Sequence, residues 1–378
     1  MKRSLQRFGP GLAVSALTVV LSTPGLATAD ETTGGTDTAY YISLGDSLAS
    51  GYQPDVDKDT HVAYTDQLYA QLKQRTPGLK HIRLGCTAET TESLINGGKC
   101  DYPHAKSQLD AALKAMAQHR GKVAYVTLSV GANDILLNCV SPAGTLDGAC
   151  LNSRNRTMAK NLAQIAGALR KAGTNNTRFV GSTYHNPFLG AWLQGAAGQQ
   201  AAKASAPLVK AANTGIDQVY KSTGFKVADV AGAFSSDDFT TQVNVPGAGE
   251  VPANVAKICQ LTWACTKKDP HPNADGHKVI AGAFAAVLAE NDGPGAGESP
   301  TPGESASPGA GESPSPSKSA TPAPGADAGA NSPTANGDLA ETGASSSTPV
   351  FAGAGLAVVA VGAAAVYFAR KRRTGEGN

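Results

Sequence analysis

Strand-like apolar runs alternate with helical ones through the middle of this chain, and that alternation leaves few folds open. Residues 39–44, 81–84, 123–130, 178–182 and 225–230 read as strands. Residues 63–75, 108–119, 158–171, 196–220 and 274–289 carry apolar side chains at helical spacing. Strand and helix in turn predict a mostly parallel sheet covered on both faces, a three-layer α/β/α sandwich of the flavodoxin-like kind. In such folds chemistry gathers beyond the C-terminal ends of the strands. The loops that follow the strands are therefore where candidate residues belong.

The two ends of the chain read as addresses rather than as fold. Lys2, Arg3 and Arg7 form a basic start, residues 11–21 are apolar, and Ala27-Thr28-Ala29 supplies a small-residue cleavage site. Residues 1–29 are thus predicted to be an export signal, with Asp30 opening the mature chain. A membrane helix there is disfavoured by the short apolar run and by Pro24 and Gly25. At the other end, residues 350–369 carry no charge, and 20 helical residues span a hydrocarbon core of about 30 Å. Arg370-Lys371-Arg372-Arg373 follows at once, which predicts a cytoplasmic tail at 370–378. Residues 291–338 are almost all Gly, Pro, Ser, Ala and Thr, with Gly-Ala-Gly-Glu-Ser-Pro at 295–300 and again at 309–314. Such a segment buries too little apolar surface to offset its ordering entropy, so a disordered stalk is expected.

Residues 30–290 remain as one domain, long enough to bury a full core. The whole chain carries a formal net charge of +2. The acids of the stalk offset the basic ends, so the head stays near neutral and nothing points to nucleic acid. All six cysteines lie in the head: Cys86, Cys100, Cys139, Cys150, Cys259 and Cys265. Six cysteines allow fifteen connectivities, and sequence alone does not choose. Their clustering as neighbours suggests local bridges Cys86–Cys100, Cys139–Cys150 and Cys259–Cys265, and export favours oxidation. No ligand spacing typical of zinc occurs, and no metal or organic cofactor is expected.

Four short blocks sit where the loops should be. They are Gly45-Asp46-Ser47-Leu48, Leu84-Gly85-Cys86, Gly131-Ala132-Asn133-Asp134 and Asp269-Pro270-His271-Pro272-Asn273. Taken one at a time they have plain readings: Gly-Asp-Ser as a turn, Gly85 as a strand end, Asn133 as a turn residue. In this order, across the whole head, they resemble the signature blocks of the SGNH (GDSL-type) esterase and lipase superfamily. The segment from Cys86 to Thr91 and the pair Cys259 and Cys265 resemble its secreted actinobacterial branch, which has three sequential disulfides.

The resemblance implies a carboxylic ester hydrolase working through a serine acyl-enzyme. Ser47 would attack the ester carbonyl, and His271 would take its proton and pass it to the departing alcohol. An imidazole suits both steps near neutral pH. Backbone N–H groups of Ser47 and Gly85, with the Asn133 side-chain amide, would form the oxyanion hole. The commoner pattern places a carboxylate three residues before the histidine, where this chain has Lys268. Asp269, two before, is the candidate for orienting His271, and a backbone carbonyl is the alternative. Ala88 departs too, since relatives often have glycine after the second block.

Other histidines compete less well. His185 follows a strand and is the one rival base; His277 lies inside the last helix, and His61, His81, His104 and His119 match no block. Asn273 or Asp275 is expected to cap that helix. Lipid or short-to-medium acyl esters are the expected substrates. Deacetylation of O-acetylated polysaccharide or peptidoglycan is the alternative, and a non-catalytic adhesin on the same fold is a third. Leu339-Ala340-Glu341-Thr342-Gly343 resembles an actinobacterial sorting signal. It implies that a sortase cuts between Thr342 and Gly343 and joins Thr342 to peptidoglycan, the membrane helix serving as anchor until then. The expected location is the cell wall.

Overall fold

A computed structural model describes residues 38–140 and 147–289. The export signal, stalk, sorting motif, membrane span and basic tail expected above lie outside the described residues. Among the described residues, no helix is long and apolar enough to cross a membrane.

The chain opens with β1 (Ala39–Gly45), α1 (Ser47–Ser50), a hairpin of β2 (Tyr52–Gln53) and β3 (Lys58–Asp59), α2 (Tyr64–Arg75) and β4 (Leu79–Arg83). Next come α3 (Thr91–Asn96), α4 (Gln108–Gln118), β5 (Val123–Ser129), α5 (Ala132–Leu136), α6 (Gly148–Ala172) and β6 (Arg178–Ser182). A 3-10 turn at Leu189–Gln194 leads into α7 (Ala196–Ser222), then β7 (Lys226–Ala228) and α8 (Val230–Ala233). A second hairpin, β8 (Gln242–Val245) with β9 (Gly249–Pro252), precedes α9 (Ala253–Leu261), α10 (Ala264–Lys267) and α11 (Ala274–Ala289).

Five strands form the central sheet in the order β4-β1-β5-β6-β7, and every neighbouring pair is parallel. Helices α2 and α11 pack together on one side, with Tyr64 stacked on Phe284 at 4.7 Å. Helices α3, α4, α6 and α7 pack together as the other layer. The expected sandwich is therefore present over the described residues. Successive strands step outward from β1 in both directions, so the chain reverses direction there and leaves a crevice past the ends of β1 and β5.

Local chemistry sets the helix ends. Ser107 accepts from the Asp110 N–H before α4, and Asp147 accepts from Ala149 and Cys150 before α6. Asn273 caps α11, its Oδ1 accepting from the Gly276 N–H at 3.0 Å. Each such cap contributes about 1 kcal/mol. Helix α6 starts ten residues before the expected 158, because its first turns carry polar Asn152, Arg154, Asn155 and Arg156 and show weak apolar periodicity. Bridges Cys86–Cys100, Cys139–Cys150 and Cys259–Cys265 are all formed.

Candidate active site

The turn after β1 is built by contact with β5. Gly45 has φ 142°, and a Cβ there would lie 2.2 Å from the Ser129 carbonyl oxygen. That oxygen accepts from the Asp46 N–H at 2.9 Å. Only a residue without a side chain lets β5 approach so closely. Asp46 then caps α1, its carboxylate accepting from the Leu48 N–H at 3.0 Å and from the Tyr184 hydroxyl at 2.7 Å. Burial lifts this carboxyl to about 6, against the pull of those two hydrogen bonds. Ser47 becomes the first residue of α1. Its N–H has no carbonyl one turn back to bond, which leaves it available to an anion.

His271 arrives from the far end of the chain. Its Nε2 lies 2.8 Å from Ser47 Oγ, and its Nδ1 lies 2.6 Å from Asp269 Oδ1. The same carboxylate oxygen accepts the His271 backbone N–H at 2.9 Å. This side-chain turn explains how a carboxylate only two residues away can reach the ring. Burial pushes the Asp269 carboxyl up, but the His271 ring and backbone N–H groups outweigh it and hold it below the usual carboxylate range. Its other oxygen, Oδ2, is buried without a hydrogen-bond partner.

Several groups hold the histidine loop. Gln53 Nε2 donates to the Pro272 carbonyl at 2.9 Å, and Trp263 Nε1 donates to Gln53 Oε1 at 3.1 Å. The Trp263 backbone N–H bonds the His271 carbonyl at 3.0 Å, inside the segment closed by Cys259–Cys265. Tyr52 presents an edge-on ring 4.9 Å from the imidazole. His185 belongs to this scaffold as well. Its Nε2–H donates to the Pro270 carbonyl at 3.0 Å, its ring stacks on Phe234, and burial draws its pKa down to about 4. With Nε2 so occupied, the rival base is a clamp on the loop that carries His271. His277 is fully buried, its Nδ1 accepting from the Tyr64 N–H at 3.1 Å.

Asn133 sits in the first turn of α5, just beyond β5. Asp134 anchors that turn by accepting from the Thr91 N–H at 2.8 Å. Asn133 Nδ2 donates to the Glu89 carbonyl at 3.0 Å. One amide hydrogen is thereby used and the orientation of the amide is fixed; the second hydrogen remains. Asn133, Ser47 and His271 line one cavity of about 680 Å³. It runs between α5, the start of α6 and the middle of α7, and its wall is mostly apolar, including Leu136, Leu151, Met158, Phe188, Leu208 and Ile216.

Gly85 does not join that cavity. The N–H groups of Leu84 and Cys86 both bond carbonyls of β1, those of Ser43 and Gly45. Alternation along an extended chain turns the intervening Gly85 N–H the other way. The need for glycine here is steric, since a Cβ would come within 2.6 Å of the Ser50 nitrogen in α1. The unusual backbone lies three residues on, at Ala88, whose φ is 64°. That turn adjoins Glu89, the residue to which Asn133 is bonded.

Gly-Asp-Ser, an asparagine turn and an Asp-Pro-His loop thus meet at the carboxyl end of a parallel sheet. The chain belongs to the GDSL-like lipase/acylhydrolase family, whose model matches residues 43–279. Similar solved structures include phospholipase A1 from Streptomyces albidoflavus NA297, at 18% identity over 67% of this chain and 99% of that one, with a TM-score of 0.39. The extracellular lipase from Streptomyces rimosus shares 18% identity over 66% of this chain and 100% of its own, with a TM-score of 0.41. An acetyl xylan esterase, AlAXEase, shares 14% over 66% and 99%, with a TM-score of 0.40. No curated protein matches the sequence.

Proposed function

We propose that this protein is a serine carboxylic ester hydrolase that cleaves esters of medium or long acyl chains. The observation that carries the reading is the Ser47–His271–Asp269 chain of hydrogen bonds, at 2.8 and 2.6 Å, opening onto an apolar cavity of about 680 Å³. Ser47 Oγ attacks the carbonyl carbon while its proton passes to His271 Nε2. Asp269 keeps the Nδ1–H in place and stabilises the imidazolium that forms. The carbonyl oxygen, now an anion, accepts from the Ser47 N–H and from the free Asn133 amide hydrogen. The backbone N–H of Thr87 or Ala88 completes the hole in place of Gly85, the Cys86 N–H being bonded to the Gly45 carbonyl. As the intermediate collapses, His271 returns the proton to the leaving alcohol and the acyl group stays on Ser47. Water, activated by the same imidazole, releases the acid.

The apolar wall supports a long acyl group. Each buried methylene contributes about 0.8 kcal/mol. Hydrolysis of p-nitrophenyl esters from acetate to palmitate tests this: kcat/KM should rise by up to about 10³-fold between acetate and octanoate, which differ by six methylenes, and Ser47→Ala should abolish it. Highest activity on acetate would favour the second reading, an O-acetyl polysaccharide or peptidoglycan deacetylase, for which the sorting-like motif at 339–343 speaks. No Ser47-dependent hydrolysis of any ester or O-acetyl glycan would favour the non-catalytic adhesin.

The same proposal covers location. The basic and apolar start, the Leu-Ala-Glu-Thr-Gly motif and the apolar run before Arg370 support export, cleavage after Thr342 by a sortase and attachment to peptidoglycan. Mass spectrometry of wall fragments should find a species ending at Thr342; an intact basic tail would contradict it.

A further inference from the structure

We propose that Gln108 is a positioning residue that holds the nucleophile turn and the oxyanion turn in register. The inference rests on the hydrolase reading above. Gln108 is the first residue of α4, and its side chain is fully buried. Its amide pairs with both backbone groups of Gly45: Oε1 accepts from the Gly45 N–H at 2.6 Å and Nε2 donates to the Gly45 carbonyl at 3.0 Å. Nε2 also lies 2.9 Å from Glu89 Oε2 and 3.1 Å from the Tyr102 hydroxyl.

Gly45 stands two residues before the nucleophile, and Glu89 stands one residue after Ala88. A single side chain therefore joins the two turns that carry oxyanion donors. Glu89 relays the link further. Its carboxylate is buried, fixed by Gln108 on one oxygen and by Ser93 Oγ at 2.5 Å on the other, and its main-chain carbonyl orients Asn133. Fixing the Glu89 side chain fixes that carbonyl, and with it the amide of Asn133. Tyr102 closes the cluster by donating to the Leu84 carbonyl at 2.9 Å. None of these groups touches the cavity, so none meets substrate. Their effect passes through geometry alone. Oxyanion donors lose much of their value when displaced by even an ångström, because their benefit depends on pre-set distance.

The test is kinetic, with active sites counted by a fluorophosphonate probe so that misfolded protein is excluded. Gln108→Met keeps the volume and removes the amide; Gln108→Asn keeps an amide one methylene too short to bridge. Either should lower kcat per titrated site about 10–100-fold at nearly unchanged KM. Combined with Asn133→Ala, the loss should be smaller than the product of the single losses, since both changes act on one donor. A Gln108 variant within about twofold of wild type per titrated site, or losses that multiply, would overturn the inference. Ser47 labelled and active in that experiment leaves the hydrolase reading standing. Failure of the probe to label Ser47 in the unaltered protein would remove both.

Discussion

Asp269 binds the His271 ring and the His271 backbone with one oxygen, leaving the other buried and unpaired. Its orienting role predicts that Asp269→Asn keeps the fold but drops kcat about 10²–10⁴-fold, as expected when the imidazole is held in the wrong tautomer. A rate close to wild type would transfer the role to a backbone carbonyl. Ala88 sits in a left-handed conformation that costs a residue with a Cβ about 1–2 kcal/mol. Ala88→Gly should therefore raise the melting temperature by a few degrees, after part of the gain is lost to glycine's entropy. A thermal melt checks this. The sequence pointed to Ser47, Asn133 and His271 because each sits in a turn signal directly after a strand or before a helix. At position 85 the visible glycine answers a packing need, while the left-handed residue of that turn is an alanine. Gln108 carried no signal, since its partner Gly45 lies 63 residues away.

Strands and most helices were readable because their apolar periods are strong. Short elements such as α3, α5 and the β8–β9 hairpin were not, since they are held by specific caps and ladders rather than by pattern. Helix α5 matters most for specificity. Its Leu136 faces the cavity from the helix that also carries Asn133. Leu136→Trp should fill space there and lower kcat/KM on p-nitrophenyl decanoate about tenfold, a loss of roughly two methylenes' worth of burial. Activity on acetate should change little. An equal loss on both esters would show that α5 had moved rather than that the cavity had shrunk.

Across the whole molecule, three buried histidines set the acid limit of stability. Burial, above all, lowers His81 and His277 to about 3 and His185 to about 4, below the ordinary 6.5. The unfolded chain therefore binds more protons than the folded one between about pH 4 and 6.5, and stability rises with pH over that window. Asp46 acts oppositely: its carboxyl, raised from 3.8 to about 6, makes the folded chain the better proton binder there. Burial raises Asp66, Glu89 and Asp134 as well, which side with Asp46, while His119 and Asp269 are lowered and side with the three histidines. The histidine shifts are the largest of these and leave a net loss in acid. Urea midpoints should fall as pH drops from 6.5 to 4, and Asp46→Asn should steepen that fall. A midpoint that stays flat or rises would show that the histidines are not kept neutral.

Ser47 stands 224 residues ahead of His271, the base proposed for it. A ribosome therefore delivers the reactive serine early and the imidazole last, shortly before the closing helix. Until that last stretch has been synthesised, the unfinished polypeptide lacks the imidazole proposed to activate its serine. Chain order serves as a time lock, and a truncation anywhere before residue 271 leaves an inert product.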